Sequence, residues 1–348
     1  MIYRLLGRTG VRVSSLALGC MNFGGRTDAA TSTEIIDRAI DAGVNFIDTA
    51  DVYGHDPGDF LVGRGRSEEI VGKALRGKRD AVVLATKAHF PMSDNQNDRS
   101  NSRLHIIASV EASLRRLDTD HIDLFQVHHP SNDIPIDETL RALDDVVRAG
   151  KVRYIGVSSF GAWQIVESLW VAKELGLNRV ISEQPSYHLL DRRVERELLP
   201  MARTYGIAVL PWSPLAGGFL TGRYRKGEGP PPGSRFAEFW TGDTADQHFV
   251  DRAFAVNDAV ASIAETHGGT PAQVALAWSL AQPGVTAPVI GPRTPEQLTD
   301  LLGSVDLTLT PDDLARLDQV APPGRAIVPY YGFDGMAMVP WGPHVNRW

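Results

Sequence analysis

The chain has 348 residues, 43% of them hydrophobic and 22% charged, a globular composition that excludes disordered and collagen-like classes. Its 35 basic and 42 acidic residues leave a net charge of −7 with no Lys/Arg run, which argues against a nucleic-acid or anionic-membrane partner. Cys20 is the single cysteine, so no intrachain disulfide forms and a reducing cytoplasm is the expected setting. The opening MIYRLLGRTGVRVSS is interrupted by Arg4, Arg8 and Arg12 before a signal core could form, and no stretch approaches the ~18 apolar residues of a membrane span.

In chain order, MIYRLLGRTGVRV carries Gly7 and Gly10 at turn positions and predicts a hairpin ahead of the main fold, plugging its bottom. Short runs rich in β-branched residues then alternate with stretches of helical period. Strands are expected at 15–21, 45–50, 81–87, 121–128, 153–159, 180–184, 207–213 and 286–291. Helices are expected at 32–42, 67–77, 102–117, 137–149, 162–175, 194–205, 254–281 with a break at 268–271, 295–303 and 311–320. Three of these helices open on Thr-Pro, at Thr270-Pro271, Thr294-Pro295 and Thr310-Pro311, each with Gln or Asp three residues after the Thr in capping-box fashion. Eight β/α units with short links imply parallel strands, right-handed crossovers and a closed (β/α)8 TIM barrel rather than an open sheet. One domain over 1–348 is expected, with 321–348 as a carboxyl-terminal lid or tail carrying Tyr330, Tyr331, Phe333, Trp341 and Trp348. The long links 88–101 and roughly 214–252 come after strands, so both are expected over the carboxyl-terminal face, where sites of this fold lie.

Polar residues recur at the strand ends. Asp48 ends the second strand, Lys87 the third and His128 the fourth, and Tyr53 stands five residues beyond Asp48. A phenol with a pKa of about 10 is a poor acid at neutral pH, and a neighbouring ammonium lowers that value. Asp48 holds Lys87 charged in this reading and His128 donates to a substrate oxygen, so the group forms a proton donor for a carbonyl. Singly, Asp48 and Lys87 read as a structural ion pair, His128 as a satisfied histidine and Trp212 as core; four coincident strand ends favour chemistry. His128 and His129 do not suggest a metal, because adjacent strand residues face opposite ways and no carboxylate or Cys stands at ligand spacing. The first strand is not followed by GxGxxG, which counts against a Rossmann dehydrogenase.

The motifs DTADVYG (48–54), ATK (85–87), DLFQVHH (123–129), GVSSF (156–160), WSPLAGGFLTGRY (212–224) and IGPRTPEQL (290–298), in this order, resemble the aldo-keto reductase superfamily over nearly the whole chain, including its potassium-channel β-subunit-like members. The resemblance implies NADP(H)-dependent reduction of a small-molecule carbonyl on a TIM barrel, with Tyr53 protonating the oxygen and Asp48, Lys87 and His128 completing the catalytic group. It implies a cofactor site in which Ser158, Ser159 and Gln184 hold the nicotinamide carboxamide and Trp212 stacks on the ring. Ser213, Pro214, Leu215 and Gly217 track the pyrophosphate, with Arg223 and Arg235 along the same path. Gly291, Arg293 and Gln297 form the adenosine end. Ser159 stands where the family usually has Asn, and Asp300-Leu301 where it has Glu-Asn; Thr294-x-x-Gln297 is also a capping box. An NADP(H)-binding sensor that regulates a partner, with little turnover, is the alternative implied by the channel β-subunits, and a homo-oligomer is left open.

Overall fold

In the computed structural model, which describes residues 1–55, 62–238 and 243–328, the strand-helix alternation is realised as the sequence predicts. An antiparallel hairpin comes first, β1 (Tyr3–Leu5) with β2 (Arg12–Ser14). The barrel strands are β3 (Ala17–Gly19), β4 (Phe46–Asp48), β5 (Val83–Ala88), β6 (Ile122–Val127), β7 (Val152–Ser158), β8 (Val180–Gln184), β9 (Ala208–Val209) and β10 (Val289–Ile290). They form one eight-stranded parallel sheet in the order β10-β3-β4-β5-β6-β7-β8-β9. Its two edges meet, because Thr286 donates its N–H to the Val209 carbonyl and Val289 donates to the Pro211 carbonyl, each at 2.8 Å. The sheet is therefore a (β/α)8 barrel, with every strand but β7 and β8 shorter than the apolar run that announces it.

The helices are α1 (Ala29–Asp41), α2 (Arg66–Ala74), α3 (Arg103–Leu117), α4 (Ile136–Arg148), α5 (Ala162–Leu175), α6 (Leu198–Tyr205), α7 (Arg235–Glu238), α8 (Asp243–His248), α9 (Asp251–His267), α10 (Pro271–Ala281), α11 (Pro295–Leu302) and α12 (Pro311–Val320). Among the described residues, none is long and apolar enough to cross a membrane. Thr270, Thr294 and Thr310 cap α10, α11 and α12 by accepting the N–H of Gln273, Gln297 and Asp313. The box is reciprocal at Thr270 and Thr310. At α11 it is not: Gln297 Oε1 takes the Arg293 N–H at 2.8 Å instead.

Parallel strands are buried on both faces, and the core accordingly has two parts. Outside the barrel, residues such as Val71, Val110, Leu143, Ile165 and Val260 join helices to the sheet. Inside it, Ala17, Phe46, Ala85, Leu124, Ala208 and Leu210 pack together with Leu6 and Val13 of the hairpin, so the hairpin does close the barrel floor. The described parts of the long link after β9 carry a packed aromatic group. Phe219 stacks on Tyr224 at 5.7 Å, and Phe236, Phe249 and Phe254 pack around them. The start of the tail is likewise anchored: Ile327 and Val328 donate N–H groups to the Leu190 carbonyl, Arg192 holds the Ala321 carbonyl, and Val328 is buried. Residues 329–348, with all five tail aromatics, lie outside the described residues.

The hairpin plug carries a measurable stability. Leu6→Ala leaves a cavity under the barrel floor and is expected to cost about 2–5 kcal/mol in urea unfolding, the range for buried leucines. A loss below ~1 kcal/mol would mean that the floor is closed by other residues.

Candidate functional site

Side chains two residues apart on a strand point the same way. The register that sends Phe46, Ala85 and Leu124 into the barrel core therefore sends Asp48, Lys87 and Gln126 into the next layer up, at the carboxyl ends of β4, β5 and β6. Asp48 is the hub of that layer. Its Oδ2 accepts from Lys87 Nζ at 2.6 Å, and its Oδ1 accepts from Gln184 Nε2 at 2.9 Å and Gln126 Nε2 at 3.1 Å. Lys87 also donates to the Thr49 carbonyl at 2.8 Å. Both members of the ion pair are almost wholly removed from water, with side-chain exposures of 0% for Lys87 and 3% for Asp48.

Tyr53 reaches this pair from the turn after β4. Its N–H bonds back to the Ala50 carbonyl, and its own carbonyl accepts from Ser67 at the start of α2. Gly54 lies at φ +98°, where a Cβ would sit 2.7 Å from that of Arg66, so only glycine lets the turn close on α2. Lys87 Nζ is 5.0 Å from the Tyr53 ring centre and hydrogen-bonds the phenol. Burial raises the Tyr53 pKa; Lys87 opposes this, Asp48 adds to it, and the net direction is upward. This corrects the expectation of a lowered phenol. The ammonium does pull the value down, but desolvation of the phenolate is larger, so Tyr53 holds its proton at neutral pH.

His128 stands edge-on to Tyr53 at 5.7 Å, with Phe90 packed against its other side at 5.0 Å. Burial, then the charges of Lys87, His89 and His129, pushes the His128 pKa well below 6.5, so the ring is neutral. Its Nδ1 has no hydrogen-bond partner among the described residues. A donor N–H left unpaired there would cost more than a bare acceptor, which favours the proton on Nε2, toward the mouth. His129 turns away, packing on His89 at 5.5 Å, and His89 in turn bonds Asn101. Among the described residues, no group of His, Cys, Asp or Glu is arranged to hold a metal.

The other expected positions rim the same mouth. Ser158 donates its hydroxyl to the Gln184 carbonyl at 2.8 Å. Ser159 lies at φ +61°, a left-handed conformation that Asn tolerates better than Ser. Trp212 is half-buried and tied by its N–H to the Pro185 carbonyl. After it the backbone is repeatedly left-handed, at Ser213, Ala216, Gly217 and Gly218. Ser213 Oγ accepts the Gly217 N–H at 3.0 Å, and the Leu215 carbonyl, beyond buried Pro214, accepts from Gly218 at 2.9 Å. Gly291 gives its carbonyl to Asn22, and a Cβ on it would meet no protein atom closer than 3.5 Å. Its glycine is not demanded by packing. Asp300 turns to the cap of α10, accepting from Thr270 and Gln273, and Leu301 is buried.

Four guanidiniums converge beside this rim. Arg26, from the link after β3, feels the charges of Arg235, Arg293 and Arg223, and burial together with that repulsion lowers its pKa to about 10. Arg26 is paired with Glu238 of α7, and Arg293 donates to the Gly233 carbonyl at 2.9 Å. Glu238 is the carboxylate that pairs with Arg26 in this arginine cleft.

A family model described as the Aldo/keto reductase family matches residues 15–322. The chain belongs to the aldo/keto reductase family. Among its relatives, an uncharacterised oxidoreductase, YrpG, of Bacillus subtilis (strain 168) is 42% identical over 92% of this chain and 96% of its own. A probable voltage-gated potassium channel subunit beta of Oryza sativa subsp. japonica is 38% identical over 92% and 96%. The versiconal hemiacetal acetate reductase of Aspergillus parasiticus is 34% identical over 94% and 99%.

Two residues of this aldo/keto reductase site are not singled out by the sequence reading. Gln126 sits two residues before His128, and the period of a strand puts both on one face, so its signal is present in the chain. Arg26 has none, because a loop arginine after two glycines points nowhere until the chain folds.

The histidines carry a pH signature. Burial takes His89 down to about 4, so its ring and that of His128 are neutral in the fold but charged in the unfolded chain below about pH 6.5. The neutral rings therefore contribute a stability that is full above that pH and is lost as pH falls toward about 4. NMR titration should show the His89 ring charging near 4. A midpoint near the ordinary ~6.5 would mean that the ring is solvated.

Proposed function

We propose that the protein is an NADPH-dependent carbonyl reductase that converts an aldehyde or ketone to an alcohol in a reducing compartment. The observation that carries the reading is the meeting of Asp48, Lys87, Tyr53 and His128 at one barrel mouth beside the arginine cleft. The residues fit a phosphate-bearing dinucleotide: four guanidiniums gather beside the left-handed turns at Ser213, Ala216, Gly217 and Gly218. Arg26, Arg223, Arg235 and Arg293 would hold its phosphates, with Gly291 and Gln297 at the adenosine end. Trp212 would flank the nicotinamide ring, with Ser158, Ser159 and the side-chain oxygen of Gln184 at its amide. When bound, the cofactor supplies the hydride.

The chain supplies the proton. Tyr53 keeps its proton at neutral pH and can release it to a carbonyl oxygen that gains charge, because Lys87 stabilises the resulting phenolate. Asp48 fixes Lys87 in place. Neutral His128, with its proton on Nε2, orients the carbonyl oxygen by a hydrogen bond. Tyr53→Phe should lower turnover by roughly 10²–10⁴-fold with cofactor affinity retained, measured as NADPH oxidation with a panel of aldehydes, ketones and keto-sugars. Near-normal turnover would remove Tyr53 from the proton step.

The cleft also favours NADPH over NADH. A charge-assisted hydrogen bond is worth about 1.5–3 kcal/mol, so Arg293→Ala, and by the same argument Arg26→Ala, should weaken NADPH by roughly ten- to a hundredfold and NADH little. Equal losses for both cofactors would assign these arginines to holding the loops. A second reading, an NADP(H)-bound sensor with little turnover, is supported by the relatives named as channel subunits. Absence of turnover across the carbonyl panel, with tight NADPH binding, would favour it.

A further inference from the structure

At the opposite end of the barrel, where strands begin, lies a depression of about 280 Å3 lined by Arg8, Arg153, Tyr154, Asn178, Arg179 and Gly206. Small-molecule sites usually span ~300–1,000 Å3, so its occupant is small. Three parts of the chain deliver the arginines: Arg8 at the hairpin tip, Arg153 as the second residue of β7 and Arg179 as the residue before β8. Each is placed by the backbone. Arg8 donates its N–H to the Gly206 carbonyl at 3.0 Å, and its stem lies so close to Gly206 that any Cβ there would collide. Arg153 Nη1 donates to the Gly150 carbonyl at 2.9 Å, and Arg179 Nη2 to that of Tyr205 at 2.7 Å.

None of the three is salt-bridged to a carboxylate among the described residues, although the chain as a whole is acidic. Asp144, which holds Asn178, is itself engaged by Arg148, and Asp120, which feels the charge of Arg153, is bonded to His121. Burial and then repulsion from Arg8 lower the pKa of Arg179, the direction expected where like charges are gathered. Convergent guanidiniums of this kind match oxyanions with two or more charges, whose oxygens accept from several forks at once.

We propose that this depression is a binding site for a phosphate group or another small multiply charged oxyanion, separate from the catalytic mouth. The apolar floor of Ile155 and Ile181 sets its depth, and the hairpin makes it by closing the barrel bottom with Arg8 at its tip.

Inorganic pyrophosphate is the probe, titrated by calorimetry into wild type, Arg8→Glu/Arg153→Glu and Arg26→Ala/Arg293→Ala. Two binding components are expected in wild type. The Arg8→Glu/Arg153→Glu protein should lose one of them, weakened tenfold or more, and keep its NADPH affinity; the Arg26→Ala/Arg293→Ala protein should retain that same component. Unaltered pyrophosphate binding in Arg8→Glu/Arg153→Glu would overturn the proposal, as would loss of all binding in Arg26→Ala/Arg293→Ala. Arg8 and Arg153 are exposed, and a circular-dichroism melt checks the folding of each variant. Should the Arg8→Glu/Arg153→Glu protein not fold, Arg153→Gln alone decides, since its side chain makes one carbonyl contact: a threefold or greater weakening supports the site and unchanged binding rejects it.

Discussion

A carboxylate and an ammonium buried together at 2.6 Å are the constraint around which the barrel mouth is built. Removing two charges from water costs several kcal/mol per ion, and proteins tolerate it only where the remaining lone pairs and protons are also satisfied. Here they are: Asp48 takes two amide donors besides Lys87, and Lys87 takes the Thr49 carbonyl and the phenol. Four strands, β4, β5, β6 and β8, are thereby joined through one carboxylate. The same pair sets the electrostatics of its neighbours, since Lys87 acts against the burial of Tyr53 and adds to the neutrality of His128. Structural and chemical roles are not separable in it.

The side of the mouth proposed to take the cofactor rests on a different balance. A backbone held left-handed at Ser213 and Ala216 costs energy that non-glycine residues rarely bear, and it persists only where surrounding packing over-determines it. The aromatic group of Phe219, Tyr224, Phe236, Phe249 and Phe254 begins three residues after Ala216 and packs the excursion that follows. Phe236 belongs to α7, which also carries Arg235 and Glu238, so the aromatic core and the arginine cleft are two faces of one excursion. The link after β3 is drawn to the same place by Asn22 on Gly291 and Thr27 on the Arg293 carbonyl. Three chain segments thus meet at the arginine cleft. Sequence motifs point to two of them, the 290–298 stretch and the excursion with Arg223 and Arg235, and are silent on the third.

The departures from the family pattern also find physical reasons. Ser159 has a left-handed backbone, the conformation in which Asn is the easier residue. Asp300 and Leu301 serve the fold, one at the cap of α10 and one in the core. Gln297 splits its duties: its N–H receives the Thr294 cap while its Oε1 braces the Arg293 backbone.

What the sequence by itself determined is local or periodic. The two-residue period of strands, the positions of Gly and Thr-Pro at helix ends, and the placement of Asp48, Lys87 and His128 at strand ends could all be read because each depends on residues near in sequence. The hairpin floor was legible for the same reason. What only the tertiary structure decided depends on distances between remote segments. These are the sharing of Asp48 by Gln126 and Gln184, the approach of Arg26 to Arg293 beside Thr27, which lies 266 positions earlier than Arg293, and the sign of the Tyr53 shift. The last is the most instructive, because a neighbouring ammonium can be guessed from a motif whereas desolvation cannot. Burial is a property of everything packed around a group, and no spacing in the chain encodes how much water that packing leaves.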